Sequence, residues 1–231
     1  MKTIGMLGGM SWESTALYYV TMNRAVQAQY DNCHSASLII HSLDFQEIVD
    51  YQKQNNWDRI QLTLSSKAKR IEEAGADCLV IASNTAHKVA GEIEQELVIP
   101  ILHIADAAGD ALVNHNIKKA GLLGTIYTMN DTFYSERIEA DYGIELIRPA
   151  ETDREIINWI IYDELCRGQV TNDARNEFNK IIRAMVHQGA EGILLACTEL
   201  SLLKMHEYID TPTFDSARIH AQYAAEWAMR D

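Results

Sequence analysis

Two stretches of this chain end on a small side chain that could exchange a proton with a ligand. The first is an apolar run over residues 192–196 that leads directly into Cys197. An apolar run of this length is typical of a buried strand in a parallel sheet, and open α/β sheets bind ligands at the carboxyl ends of their strands. A helix that begins behind the cysteine would favour the thiolate through its backbone N–H groups. The alternative interpretation is that Cys197 is a small buried apolar residue.

The second stretch repeats this pattern and ends on Ser83. Residues 75–82 read Gly-Ala-Asp-Cys-Leu-Val-Ile-Ala, and residues 189–196 read Gly-Ala-Glu-Gly-Ile-Leu-Leu-Ala. Ser83 therefore corresponds to Cys197 at an offset of 197 − 83 = 114 residues. If both residues faced one ligand, they would form a paired acid–base device.

Two further pairs of positions support a duplication. Pro100 and Pro212 lie in similar short segments at an offset of 212 − 100 = 112 residues, and Gly8 and Gly124 end similar apolar runs at an offset of 124 − 8 = 116. Correspondences at nearly one offset indicate that a single α/β unit occurs twice in the chain.

Composition limits the possible partners and the location. The 20 basic and 33 acidic residues give a formal charge of −13, which argues against a nucleic acid or an anionic membrane surface as a partner. The sequence contains no apolar run long enough for a membrane helix and no signal-peptide pattern, so we expect a cytoplasmic protein. The four cysteines lack CxxC spacing and the eight histidines form no ligand-spaced cluster, so we expect neither a disulfide framework nor a metal site.

The N-terminal segment predicts a strand, a tight turn and a helix. Residues 2–9 read as a strand that ends in Gly8 and Gly9, and Ser11 has the position of a cap for a helix that begins at Trp12. Backbone N–H groups near Met10 could then bind a small anion. The glycine spacing is not GxGxxG, which disfavours dinucleotide binding.

The rest of the chain alternates strands and helices. The patterns predict a strand at 37–42, a short strand and turn at 99–106, a helix over 57–74, and another helix from Asn84 to about Leu97 that contains His87. Each half should form a mostly parallel sheet with helices on both faces. We predict one α/β domain over residues 1–112 with the last helix (about 216–231), and a second over 113–215.

Four motifs together resemble the aspartate/glutamate racemase family. They are Gly-Gly-Met-Ser-Trp-Glu-Ser-Thr at 8–15, Ser-Asn-Thr-Ala-His at 83–87, Leu-Gly-Thr-Ile-Tyr-Thr at 123–128 and Ala-Cys-Thr-Glu at 196–199. The resemblance runs in order over nearly the whole chain. It implies two pseudo-symmetric α/β domains, an active site in the cleft between them, an amino acid substrate, no cofactor and a homodimer.

The resemblance also implies a mechanism and a set of site residues. In this family a thiolate removes the α-proton and a thiol on the opposite face returns one, but here Ser83 replaces one of the two cysteines. Because the resemblance places Cys197 on the face that deprotonates the L-amino acid, we expect a racemase of aspartate or glutamate that is biased toward the L-enantiomer, with Ser83, a water or His87 returning the proton. The expected substrate-binding residues are Met10, Gln52, Asn84, Thr85, Thr125, Thr128 and Thr198. Glu164 or Arg167 could fill a further substrate-contacting position, and the sequence does not choose between them.

Other functions fit the same residues. A relative that uses a single cysteine, such as a malonate decarboxylase, a maleate isomerase or a hydantoin racemase, needs only Cys197. A protein that binds amino acids without catalysis is a further alternative, in which Ser83 records the loss of the chemistry.

Overall fold

The computed structural model describes residues 1–30, 33–207 and 209–230. They form two compact units, one containing residues 1–104 and 220–231 and the other containing residues 105–219. The prediction placed the boundary after residue 112 and so assigned most of the helix Ile104–Asn114 to the first domain. In the structure most of this helix belongs to the second unit.

The first unit is built on a three-stranded parallel sheet. Its strands are β1 (Ile4–Gly8), β2 (Leu38–Ser42) and β3 (Cys78–Ile81), in the order β2-β1-β3. Every residue of β1 and β3 is buried, as expected for strands covered on both faces. The helices of this part of the chain are α1 (Trp12–Gln29), α2 (Phe45–Lys53), α3 (Trp57–Glu73) and α4 (Ala90–Glu94).

The second unit is built on a four-stranded parallel sheet. Its strands are β4 (Lys119–Gly124), β5 (Glu145–Ile147), β6 (Gly192–Ala196) and β7 (Thr213–Asp215), in the order β5-β4-β6-β7. The remaining helices are α5 (Ile104–Asn114), α6 (Ile126–Asn130), α7 (Ser135–Tyr142), α8 (Glu151–Trp159), α9 (Asn172–His187) and α10 (Ser216–Met229). Helix α8 continues into a π-helical turn, Ile160–Glu164. The predicted fold class, parallel sheets flanked by helices, is confirmed.

The strand registers of the two sheets correspond to each other. Leu7 of β1 pairs with Ile81 of β3, and Leu123 of β4 pairs with Leu195 of β6. The chain emerges two residues beyond these pairs at Ser83 and at Cys197, respectively. The repeat found in the sequence is therefore a repeat of topology and register, and it gives the two residues equivalent places.

Local signals in the sequence determine several element boundaries. Ser11 caps α1 as predicted, because its side chain accepts a hydrogen bond from the N–H of Ser14. The predicted strand at 99–106 is limited to one bridge, Leu79 with Ile101, because the chain is helical from Ile104 onward. The predicted helix after Ser83 starts as a 3-10 turn, Thr85–Val89, and α4 then ends at Glu94 rather than near residue 97.

Each unit has an apolar core beside its sheet. In the first unit α3 contributes Ile60, Leu64, Ala68 and Ile71, and in the second α9 contributes Phe178, Ile181, Ile182 and Met185. Within the part of the chain that the structure describes, none of the helices has the length and apolar character needed to cross a membrane.

Candidate active site

Cys197 lies in a buried site directly after β6, and its thiol has a carboxylate partner. The side chain of Cys197 is 7% exposed, and its Sγ donates a hydrogen bond to Oε2 of Glu199 over 3.1 Å. The same carboxylate oxygen accepts a hydrogen bond from Oγ1 of Thr198 over 2.7 Å. A short 3-10 helix, Thr198–Leu203, follows the thiol and contains both Thr198 and Glu199. The predicted binding residue Thr198 is thus next to the thiol and holds the carboxylate in place.

This environment favours the thiol form of Cys197. Burial raises the pKa of Cys197 well above its ordinary value, and the negative charge of Glu199 raises it further. A backbone hydrogen bond at Glu199 lowers the pKa, which is the direction we expected from N–H groups behind the cysteine, but burial and the carboxylate outweigh it. Burial and the carboxylate therefore oppose the shift toward the thiolate that backbone N–H groups favour.

Two residues of the segment around Tyr162 lie near Cys197. Tyr162 and Cys166 pack against the core cluster that contains Cys197. Burial, followed by the charge of Cys197, raises the pKa of Tyr162. Glu199, Tyr162 and Cys166 were not predicted as site residues. The motif Ala-Cys-Thr-Glu was a signal for Glu199, whereas only the tertiary fold brings Tyr162 and Cys166 to the thiol.

Glu164 and Arg167 differ in their surroundings. A carboxylate oxygen of Glu164 accepts a hydrogen bond from Oγ1 of Thr171 over 2.8 Å in a half-buried position. The guanidinium of Arg167 is 65% exposed and pairs with Asp163 over 3.1 Å. The charge of Arg167 is therefore largely screened by solvent and by Asp163.

Thr125 and Thr128 form the start of a helix in the second unit. Thr125 caps α6, and its Oγ1 lies 3.4 Å from Oγ1 of Thr128. Thr128 is completely buried, and Thr125 is 7% exposed. Because Thr125 follows β4, the strand that pairs with β6, both threonines stand at the edge of the sheet where Cys197 emerges. The hydroxyl groups stabilise this edge of the sheet, because the cap formed by Thr125 fixes the start of α6.

Ser83 lies in a tight turn after β3. Its N–H donates to the carbonyl oxygen of Ile81 over 2.8 Å, and its Oγ accepts a long hydrogen bond of 3.4 Å from the N–H of Ala86. The residue is half-buried, and this bond leaves the hydroxyl hydrogen for another acceptor. No carboxylate among the described residues is hydrogen-bonded to the hydroxyl, in contrast to the thiol of Cys197.

The turn after β1 packs beside the end of β3. Oγ of Ser14 donates to the carbonyl oxygen of Ala82, which brings the start of α1 next to Ser83. Gly9 has φ +87°, and a Cβ atom there would lie 2.2 Å from the backbone oxygen of Leu43. Only glycine therefore fits this turn. The predicted binding residue Met10 follows it in a buried position.

Other predicted binding residues of the first unit are buried. Asn84 and Thr85 follow Ser83 directly and begin the 3-10 turn. Gln52 lies on the buried side of α2, 5% exposed. Adjacency in the chain places Asn84 and Thr85 beside Ser83, whereas Gln52 comes from a separate helix.

Comparisons with known proteins identify the family of this chain. A family model described as Asp/Glu/Hydantoin racemase matches residues 7–224. The chain belongs to this family. Membership supports an enzyme that racemises amino acids without a cofactor.

Similar proteins cover the whole chain. A crystal structure of a candidate Asp/Glu racemase from Yersinia pestis has 43% sequence identity, covers 100% of both chains and superimposes with a TM-score of 0.93. An aspartate racemase homologue from Pyrococcus horikoshii has 32% identity, also covers 100% of both chains and has a TM-score of 0.85. A broad-specificity amino-acid racemase of Bacillus subtilis is 24% identical over 93% of this chain and 92% of its own length.

Proposed function

We propose that this family member racemises aspartate or glutamate, with Cys197 removing the α-proton and Ser83 serving the opposite face of the same Cα. The observation that carries the proposal is the thiol of Cys197 at the end of β6, hydrogen-bonded to Glu199 over 3.1 Å. A buried thiol beside a proton acceptor is the arrangement that general base catalysis by sulfur requires.

Glu199 supplies the acceptor that makes the thiol a base. If Cys197 ionised while Glu199 stayed charged, the buried site would hold two negative charges, which burial strongly disfavours. If the thiol proton instead moves to Glu199, the net charge of the pair does not change. The thiolate formed in this way then removes the α-proton of the amino acid, which becomes a planar carbanion.

Ser83 explains the direction of the proposed bias. The registers of the two sheets give Ser83 the place that Cys197 has in the other unit. A serine hydroxyl can donate a proton to a carbanion, but it is a much weaker base than a thiolate, because its pKa lies far above that of cysteine. The L-enantiomer is therefore deprotonated at Cys197 and reprotonated from the Ser83 side, where water restores the proton that the hydroxyl group donates. Because the two enantiomers have equal free energy, inversion through Ser83 is slow in both directions, and the bias lies in the fast α-proton exchange of the L-enantiomer at Cys197.

The proposed binding residues are polar groups and backbone N–H groups that could hold the carboxylates of the substrate. They are Met10, Gln52, Asn84, Thr85, Thr125, Thr128 and Thr198. Donors around the α-carboxylate would also stabilise the charge that develops when the proton leaves. Arg167 would contribute little to binding, because solvent screens its charge.

An exchange experiment in deuterated water tests the proposal. L- and D-enantiomers of aspartate and glutamate are incubated separately with the protein, and NMR follows deuterium at Cα while chiral chromatography follows inversion. We expect the L-enantiomer to exchange its α-proton much faster than the D-enantiomer does, and much faster than it inverts. Cys197→Ala should lose both activities by about 10²- to 10⁴-fold, the usual contribution of a general base.

Other results would contradict the proposal. Equal exchange of the two enantiomers would contradict the bias, and undiminished exchange in Cys197→Ala would contradict the role of the thiol. The description of the family includes hydantoin racemases. If amino acids do not exchange but a substituted hydantoin racemises, the proposed substrate class is wrong. Tight binding of aspartate without any exchange would indicate a binding protein.

We further propose that the enzyme is a cytoplasmic homodimer. The family resemblance supports the dimer. Light scattering in solution tests the oligomeric state, and cell fractionation tests the location.

A further inference from the structure

His87 is buried, and both of its ring nitrogens contact backbone groups. Nε2 lies 3.2 Å from the backbone nitrogen of Ile104, and Nδ1 lies 2.7 Å from the carbonyl oxygen of Ser83. The Ile104 N–H can only donate, so Nε2 must accept and carries no proton. The carbonyl oxygen of Ser83 can only accept, so Nδ1 must carry the proton. The two contacts together require the neutral ring in its Nδ1–H form.

This tautomer excludes one route for the proton. A relay through His87 would need one ring nitrogen to take a proton while the other released one toward the substrate. Here one nitrogen holds the first N–H of α5 and the other holds a carbonyl oxygen. Protonating Nε2 would direct two N–H groups at each other.

The contact with Ser83 fixes the turn that presents its hydroxyl group. The backbone of Ser83 is held at its N–H by the carbonyl oxygen of Ile81 and at its carbonyl by His87. With both sides of the residue held, the direction of the Cα–Cβ bond is determined. Rotation about χ1 is then the only motion that changes the position of the hydroxyl oxygen.

A second buried histidine holds the segment that carries the N–H of Ile104, the other partner of His87. His220 of α10 is 0% exposed, and its Nε2 lies 2.6 Å from the carbonyl oxygen of Leu102. Its Nδ1 lies 2.8 Å from the hydroxyl oxygen of Tyr18 in α1. Because a carbonyl oxygen only accepts, Nε2 of His220 donates. The segment that presents the Ile104 N–H to His87 is thus itself attached to two helices of the first unit.

We propose that His87 is a positioning residue for Ser83, and that it acts by aligning the Ser83 backbone as a neutral Nδ1–H imidazole rather than by carrying a proton. The inference rests on the proposed function, because it concerns the step in which Ser83 protonates the carbanion. His87 then affects the fraction of carbanions that Ser83 protonates, and it does not affect deprotonation at Cys197.

Two substitutions separate the two hydrogen bonds of His87. In His87→Asn, the amide nitrogen can take the place of Nδ1 and still donate to Ser83. In His87→Gln, the amide oxygen can take the place of Nε2 and still accept from Ile104, while the donor to Ser83 is lost. The informative measurement is the fraction of exchanged L-substrate that emerges inverted, since deprotonation and protonation at Cys197 alone give exchange with retention.

We expect His87→Asn to keep most of the inverted fraction and His87→Gln to lower it by about tenfold or more, since a catalytic group displaced by about 1 Å can lose a factor near 10². The rate of deuterium exchange into the L-enantiomer should stay the same in both variants. A His87→Gln enzyme that inverts like the wild type, or an equal loss in both variants, would overturn the inference. A common loss of exchange and thermal stability would also overturn it, by showing a purely structural role.

The tautomer can be measured independently of any activity. A long-range proton–nitrogen NMR spectrum distinguishes Nδ1–H from Nε2–H imidazole. We expect His87 in the Nδ1–H form and His220 in the Nε2–H form. A proton on Nε2 of His87 would contradict the geometry even if no amino acid exchanged. Failure of exchange in the wild type would instead contradict the proposed function alone.

Discussion

The thiol of Cys197 donates its hydrogen bond to Glu199, across 3.1 Å in a buried site. Burial and this carboxylate both raise the pKa of Cys197, so the carboxylate opposes formation of a second negative charge beside it. It is also the nearest group that can remove the thiol proton. Glu199 therefore has two effects of opposite sign on the thiol, one electrostatic and one chemical, and a substitution can separate them.

Glu199→Gln should make the thiol more reactive and the enzyme slower. Removing the carboxylate lowers the pKa of Cys197, so alkylation of Cys197 by iodoacetamide at pH 8 should become faster. Removing the proton acceptor should slow deuterium exchange into the L-enantiomer by about 10²-fold or more. The measurements are mass spectrometry of the alkylated peptide and NMR of Cα.

Glu177→Gln is the control for the loss of a carboxylate, because Glu177 pairs with Lys180 on the surface of α9. It should change neither rate. If exchange in Glu199→Gln rises together with alkylation, Glu199 acts only through its charge and does not accept the proton.

Ser83→Cys should speed the deprotonation of the D-enantiomer. A thiol at position 83 can form a thiolate and can remove the α-proton of the D-enantiomer, which a serine hydroxyl does poorly. We expect exchange into D-aspartate or D-glutamate to rise by about tenfold or more, within the range of a general base.

Exchange into the L-enantiomer should stay the same in Ser83→Cys, because Cys197 is unchanged. Ser83→Ala is the matched variant, and it should lower inversion of the L-enantiomer without lowering exchange with retention. Fast exchange of the D-enantiomer in the wild type would show that Ser83 imposes no bias.

Gly9→Ala should destabilise the first unit more than an ordinary glycine substitution. Gly9 combines φ +87° with a Cβ position 2.2 Å from the backbone oxygen of Leu43, so a methyl group there meets both backbone strain and a clash. We expect a loss of about 3 kcal/mol or more in the free energy of unfolding, measured with urea.

Gly75→Ala is the control, because Gly75 has φ +97° but no atom within 4 Å of its Cβ position. It should cost only the backbone strain, about 1 kcal/mol. Equal losses in the two variants would mean that the turn after β1 moves to accommodate the methyl group.

Local patterns predicted the parts of the structure that depend on neighbouring residues. The cap at Ser11 and the strand that leads to Cys197 follow from side-chain type and apolar spacing, and the repeat gave Ser83 the position in its own sheet that Cys197 has in the other. The direction of the pKa shift of Cys197 could not be predicted in this way, because the burial that dominates it depends on the tertiary fold. The tautomer of His87 could not be predicted either, since it depends on Ile104, 17 residues further along the chain.

Cys78 should make the protein less stable in alkali. Burial in β3, with a smaller effect of Asp77, raises the pKa of Cys78 from 9.0 to about 12. Above pH 9 the unfolded chain releases this proton while the folded chain retains it, so the stability present below pH 9 is lost as the pH rises toward 12. The free energy of unfolding should fall by about 1.4 kcal/mol for each pH unit in this window.

Cys78→Ala should remove this part of the loss. We expect the wild type to lose about 1.4 kcal/mol more than Cys78→Ala between pH 8 and pH 10 in urea unfolding. Cys197, whose pKa is also raised, affects both proteins equally and does not change the difference. Replacing the exposed Cys33 with alanine should leave the full alkaline loss in place. If Cys78→Ala loses stability as steeply as the wild type, the thiol in β3 ionises in the folded protein as it does in the unfolded chain.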